Sequence, residues 1–128
     1  MKSTACHLLL LSLLFSLLGC QTVPKDQLAN ADHGKFPAAY QQQIKQFFNV
    51  KEYEYAGYIK PDWRFEEPFK AAFKESKSDT WRFGYGVEMR FNRKRELQGY
   101  APNERHVFFF HENQMWPVNA GDALRKTE

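Results

Sequence analysis

Trp81-Arg82-Phe83-Gly84-Tyr85-Gly86-Val87-Glu88-Met89-Arg90-Phe91 decides the fold. Large apolar residues hold every odd position and glycine or charge every even one, a period of two over eleven residues. Such alternation belongs to a long β-strand with one buried face; in a helix the same rings would wind around every side. Gly84 and Gly86 fall on the face away from the rings, where a missing side chain lets another group come close.

Downstream, Arg105 to His111 puts His106, Phe108 and Phe110 on one side and Val107 and Phe109 on the other. A strand apolar on both faces predicts a central place in the sheet. Asn113 marks a turn, and Met115, Trp116 and Val118 predict a last strand that Pro117 keeps short or at an edge. Upstream, Tyr53, Tyr55, Tyr58 and Ile59 predict an earlier strand with Gly57 as a bulge. Over Glu66 to Ser76, Phe69, Ala72 and Phe73 after Pro68 fit a short helix, while aromatic residues beside a Pro equally fit an irregular strand; strand or loop is the preferred reading.

Ahead of these strands, Pro37 suits the first position of a helix. Tyr40, Ile44, Phe47 and Phe48 then form one stripe, with Gln41, Gln42, Gln43, Lys45 and Gln46 behind it. The expected domain is α+β, with an N-terminal helix packed on an antiparallel sheet of about four to five strands.

The chain starts with a different pattern. Lys2 precedes an apolar run from Leu8 to Leu18, and Gly19-Cys20 follows it. This resembles a bacterial lipobox, in which a small residue precedes the cut and the cysteine after it receives a diacylglycerol. As a helix the run reaches ~16 Å, about half the ~30 Å of hydrocarbon that a spanning segment must cross. The resemblance implies a signal peptide over 1–19 and lipid attachment at Cys20. Polar residues without apolar period, with Pro24, Asn30, Asp32 and Gly34, then predict a flexible tether over 20–35 in which His33 is solvated. A single domain would occupy 36–128. Gln21 stands where the sorting rule of enteric-type bacteria places Asp for inner-membrane retention, so that resemblance implies the periplasmic face of the outer membrane.

Cys6 and Cys20 are the chain's two cysteines. With the first removed and the second acylated, no disulfide, redox pair or cysteine nucleophile is left. The net charge is +3, and losing Lys2 brings it to about +2, which gives no mandate for nucleic acid.

Tyr85-Gly86-Val87, Phe91-Asn92, Gly99-Tyr100 and Val107-Phe108-Phe109-Phe110, with Phe65-Glu66-Glu67-Pro68 before them, resemble the matching blocks of a group of small uncharacterised bacterial lipoproteins. The chain departs from them at Glu112-Asn113-Gln114, where an Asn-Gly turn is usual, and in lacking an Asp-Pro-rich segment after the helix. The resemblance implies a small α+β lipoprotein domain and carries no catalytic residues to transfer.

Candidate chemistry is sparse. His106 and His111 are five apart and would face opposite ways on one strand, so they make no ligand pair. Glu88 and Arg90 share a face and read as a surface pair, as Glu52 and Glu54 read as solvated carboxylates. Ser76 and Ser78 lack a Gly-x-Ser-x-Gly context, and Gly84-Tyr85-Gly86 lies inside a strand, not at a phosphate-cradling turn. No enzyme, metal or cofactor is expected.

Two surface features stay open. Arg93-Lys94-Arg95 reads as a solvated hairpin loop or, more sharply, as a contact for an anionic surface such as lipid phosphates or a polysaccharide. Three Trp, six Tyr and the eleven Phe that follow Cys20 exceed what so small a domain can bury, so some rings should be exposed; Tyr53, Tyr55, Tyr58, Trp63 and Tyr100, among polar or turn-forming neighbours, are the candidates. The leading expectation is a non-catalytic, lipid-anchored envelope protein that binds an envelope component or a protein partner. The alternatives are a glycan- or small-ligand-binding module that uses surface aromatics, and a hydrolase with a scattered site.

Overall fold

The computed structural model describes residues 21–48, 58–95, 99–100 and 104–128, and of 58–62, 92–95 and 99–100 the backbone alone. Antiparallel sheet dominates. Two helices, α1 (Lys25–Ala29) and α2 (Tyr40–Phe48), precede seven strands: β1 (Tyr58–Phe65), β2 (Phe69–Lys74), β3 (Arg82–Arg95), β4 (Gly99–Tyr100), β5 (Glu104–His111), β6 (Gln114–Pro117) and β7 (Ala123–Lys126).

Seven strands make five rows, because two rows are broken. Along one edge of β3, β2 pairs with Arg82 to Gly86 and β1 with Met89 to Arg95. Between them Glu66 N–H donates to Glu88 O at 2.9 Å, and Pro68, with no N–H to give, ends the pairing. Along the other edge, β5 pairs with Tyr85 to Phe91 and β4 with Lys94 and Arg95. β6 flanks β5, and β7 flanks β2. The segment after Pro68 is thus a strand. The register of β1 shifts between Ile59 and Asp62, beside Pro61; Gly57, the expected bulge, lies outside the described residues along with Tyr53 and Tyr55. The short edge strand β6 ends on Pro117.

The first helix in chain order is not the one that covers the sheet. α1 buries no residue, whereas α2 buries Tyr40, Ile44 and Phe48. These pack with Val87, Met89, Phe91, Phe108 and Phe110, flanked by Trp63, Phe65 and Met115. Phe47 sits at the rim, 40% exposed, its ring edge-on to Phe108 at 5.3 Å. The odd positions of β3 therefore supply this core.

The end of the expected tether is docked. His33 Nε2 is 2.8 Å from Thr127 Oγ1, and its ring meets the edges of Phe83 and Tyr85 at 5.8 and 6.4 Å. Phe36 adds a contact to Tyr85 at 5.5 Å. His33, expected in water, is half-buried because two rings of β3 lie uncovered beyond α2 and offer apolar surface to the passing chain. No helix among the described residues is long and apolar enough to cross a membrane.

Candidate functional site

The second face of the sheet carries the candidate site. Directly paired residues share a face, so the register sets Phe69, Ala71 and Phe73 beside Gly86, Gly84 and Arg82, and Phe109 between Gly86 and Trp116. None of these lies under α2. The absent side chains at 84 and 86 are what let this face close on itself. A Cβ at Gly84 would strike Phe110 O and stand 2.8 Å from Phe109 Cζ, and one at Gly86 would stand 2.6 Å from Phe69 Cε2. Phe73 stacks on Phe109 at 4.9 Å, and Ala71, Phe73 and Phe109 are fully buried with Phe69, Trp116, Val118 and Leu124 around them.

Rings at the margins of both faces are roofed by cations. Lys126 Nζ lies 4.9 Å from the Phe69 centroid and the Arg82 guanidinium 4.9 Å from that of Trp116; on the helix side Lys45 covers Phe65 and Lys74 covers Trp81. Contacts of this kind occur about once per 70–80 residues in proteins generally. Four among the described residues show where surplus aromatic surface goes: under basic side chains, whose stems cover apolar surface and whose heads stay wet. One face of Phe69 and one of Trp116 are thus covered by a cation.

Between these rings and the broken row lies an open groove of about 560 Å³, lined by Glu66, Glu67, Phe69, Glu88, Arg105, Val107, Leu124 and Lys126. Glu88 anchors it. Arg105 donates to both Glu88 oxygens, at 2.7 and 2.9 Å, and Arg90 donates to one at 3.2 Å. The Arg105 hydrogen bonds, with a smaller contribution from Arg90 and against partial burial, hold the Glu88 carboxyl down at about 2. The carboxylate is ionised across the physiological range and is suited to fixing cations, not to moving protons.

The sequence-predicted residues do not converge on one site. Arg93, Lys94 and Arg95, expected in a loop, continue β3: Lys94 pairs with Ile59 and Tyr100, and Arg95 with Tyr58 and Gly99. The strand persists because β1 and β4 flank it on both edges. Trp63, expected at the surface, is half-buried at the margin of the helix-side core, stacked on Phe65 at 6.1 Å and 5.7 Å from Phe48. Tyr58 and Tyr100 are placed by backbone pairing alone; Tyr53, Tyr55 and Cys20 lie outside the described residues.

His106 packs on Phe91 with 3.2 Å from Nε2 to Glu104, while His111 donates Nδ1–H to Phe83 O at 2.6 Å. The two imidazoles do not meet, and among the described residues no group of three or more His, Cys, Asp or Glu could hold a metal. Glu66, Glu67, Arg105 and Lys126 were not legible as site residues. Only Phe69-Lys70-Ala71-Ala72-Phe73 carried a signal, as a short alternation after Pro68. The chain matches no protein-family model, no curated protein and no solved structure.

Proposed function

We propose that the chain is a non-catalytic, lipid-anchored envelope protein, held through Cys20 at the periplasmic face of the outer membrane, whose open sheet face binds an envelope component or protein partner. The apolar run Leu8 to Leu18 and Gly19-Cys20 support the anchor. One observation carries the binding reading: α2 closes one face of the antiparallel sheet, while the other presents an open groove whose apolar floor of Phe69, Val107 and Leu124 is walled by charge. A shallow, mixed surface of that kind suits a macromolecular partner better than a small substrate, which favours an enclosing pocket.

Two measurements test this reading. Radioactive palmitate should label the wild-type chain and not a Cys20→Ser variant; equal labelling of both would overturn the anchor. A photo-cross-linking residue at Leu124 should give one reproducible adduct in living cells, and the same residue at Phe47 on the helix rim should give none. Adducts from Phe47 alone would refute the open-face assignment.

A further inference from the structure

The pairing register brings three arginines from distant parts of the chain into one line. Arg64 of β1 stands directly opposite Arg90 of β3, and Arg90 directly opposite Arg105 of β5. All three are exposed, on the face away from α2. With strands ~4.8 Å apart, the row spans about 10 Å across the sheet. Like charges directly opposite one another destabilise a sheet. The fold partly offsets the cost with Glu88, which reaches two members of the row.

The acidic groove residues Glu66 and Glu67 lie beside Glu88, at the break between β1 and β2. Along β3 the face thus passes from an acid and apolar groove to the arginine row.

We infer that the Arg64–Arg90–Arg105 row is a docking strip for the phosphate headgroups of an anionic membrane surface, with Glu88 as its built-in counter-ion. The inference rests on the reading that Cys20 is acylated. From Gln21 to Asp32 the chain includes five helical residues in α1, which limits its reach to roughly 30 Å at 1.5 Å per helical residue and ~3.4 Å elsewhere. From Asp32 onward it is tied to the sheet by His33. A domain on so short a lead stays beside the surface that holds its anchor, and membrane phosphate is then the most concentrated anion within reach. A flat strip of guanidinium groups also matches a surface of repeated phosphates better than it matches one enclosed anion.

The test uses the chain extracted in detergent from membranes of cells that produce it and reconstituted into vesicles of phosphatidylcholine alone or of phosphatidylcholine and phosphatidylglycerol at 7:3. Phenylglyoxal modification of each arginine is followed by peptide mass. On the phosphatidylglycerol vesicles Arg64, Arg90 and Arg105 should react at least about fivefold more slowly than on phosphatidylcholine, as expected for ~1 kcal/mol per basic residue at an anionic surface. Arg125, exposed on the edge strand β7, should react equally on both. Glu88→Gln, which adds one net charge without removing an arginine, should deepen the protection; a purely structural role for Glu88 would weaken it.

A Cys20 peptide whose mass shows no attached lipid refutes the anchor and, with it, the docking strip that rests on it. Equal arginine reactivity on both vesicle types in protein whose Cys20 carries lipid overturns the docking strip and leaves the anchor standing. Protection by inorganic phosphate that phosphatidylglycerol does not reproduce also overturns it, in favour of a soluble phosphate ligand.

Discussion

The ring of Phe69 occupies the space that a side chain at residue 86 would need, with Cε2 2.6 Å from where the Gly86 Cβ would stand. The long strand thus carries two codes at once: Val87, Met89 and Phe91 fill the core under α2, and its glycines seat the rings of neighbouring strands on the other face. Gly86→Ala should destabilise the fold by about 1–3 kcal/mol, the usual cost of overpacking. Gly84→Ala should cost more, since its Cβ would meet the backbone oxygen of Phe110, which cannot rotate away as a ring can. Urea midpoints of the two variants would show the order, and Gly86→Ala combined with Phe69→Leu should recover part of the loss.

Glu88 predicts an acid limb in stability. Its carboxyl titrates near 2 in the fold against 4.5 ordinarily. The unfolded chain therefore takes up the proton first, so the stabilisation is complete above about pH 5 and disappears as the pH falls toward 2. Because both arginines are largely exposed, the loss should be about 1 kcal/mol. Denaturation midpoints at pH 5 and pH 2.5 should differ less in Glu88→Gln than in the wild type.

His33 predicts a second dependence at milder pH. Burial, and next the charge of Lys70, lower its pKa, with Glu128 and Asp32 opposing. The folded site prefers neutral imidazole, so its contribution is full above the ordinary value of 6.5 and declines as the pH drops below it. The melting temperature should fall between pH 7.5 and pH 5.5, and His33→Gln should flatten that interval while leaving the acid limb of Glu88 in place.

The β5–β6 hairpin turns at Glu112-Asn113, and Glu112 holds φ at +52°. A residue with a Cβ bears a cost there that glycine escapes, so Glu112→Gly should raise stability by about 1 kcal/mol. Gly34→Ala should do the reverse: its φ is +70°, and a Cβ would stand 2.7 Å from Glu112 Oε1. Thermal unfolding of both variants, and of the pair together, would separate backbone strain from the contact.

The central strand was legible because eleven alternating residues leave a single reading, and the apolar stripe at Tyr40, Ile44 and Phe48 was legible because every member is large. β7 was not: Ala123-Leu124-Arg125-Lys126 is four residues long and has no clear alternation. The packing of Trp63 against Phe48 and Phe65 was not legible, because polar neighbours in a strand say nothing about the face that a residue takes. The arginine row was invisible for a deeper reason. Residues 64, 90 and 105 become neighbours only through the register of two separate pairings, and register depends on the packing of the whole sheet.

The bond from His33 to Thr127 joins the chain's lead to its last strand, 94 residues away in sequence. Tension on the chain ahead of Asp32 would therefore load that bond first and pull next on the outer row, where Thr127 N–H is held by Lys70 O. The mechanical fuse of the domain lies at this edge, one row out from Arg64 and two from Arg90, so a tugged domain would fray at β7 before the pairings of β3 were loaded.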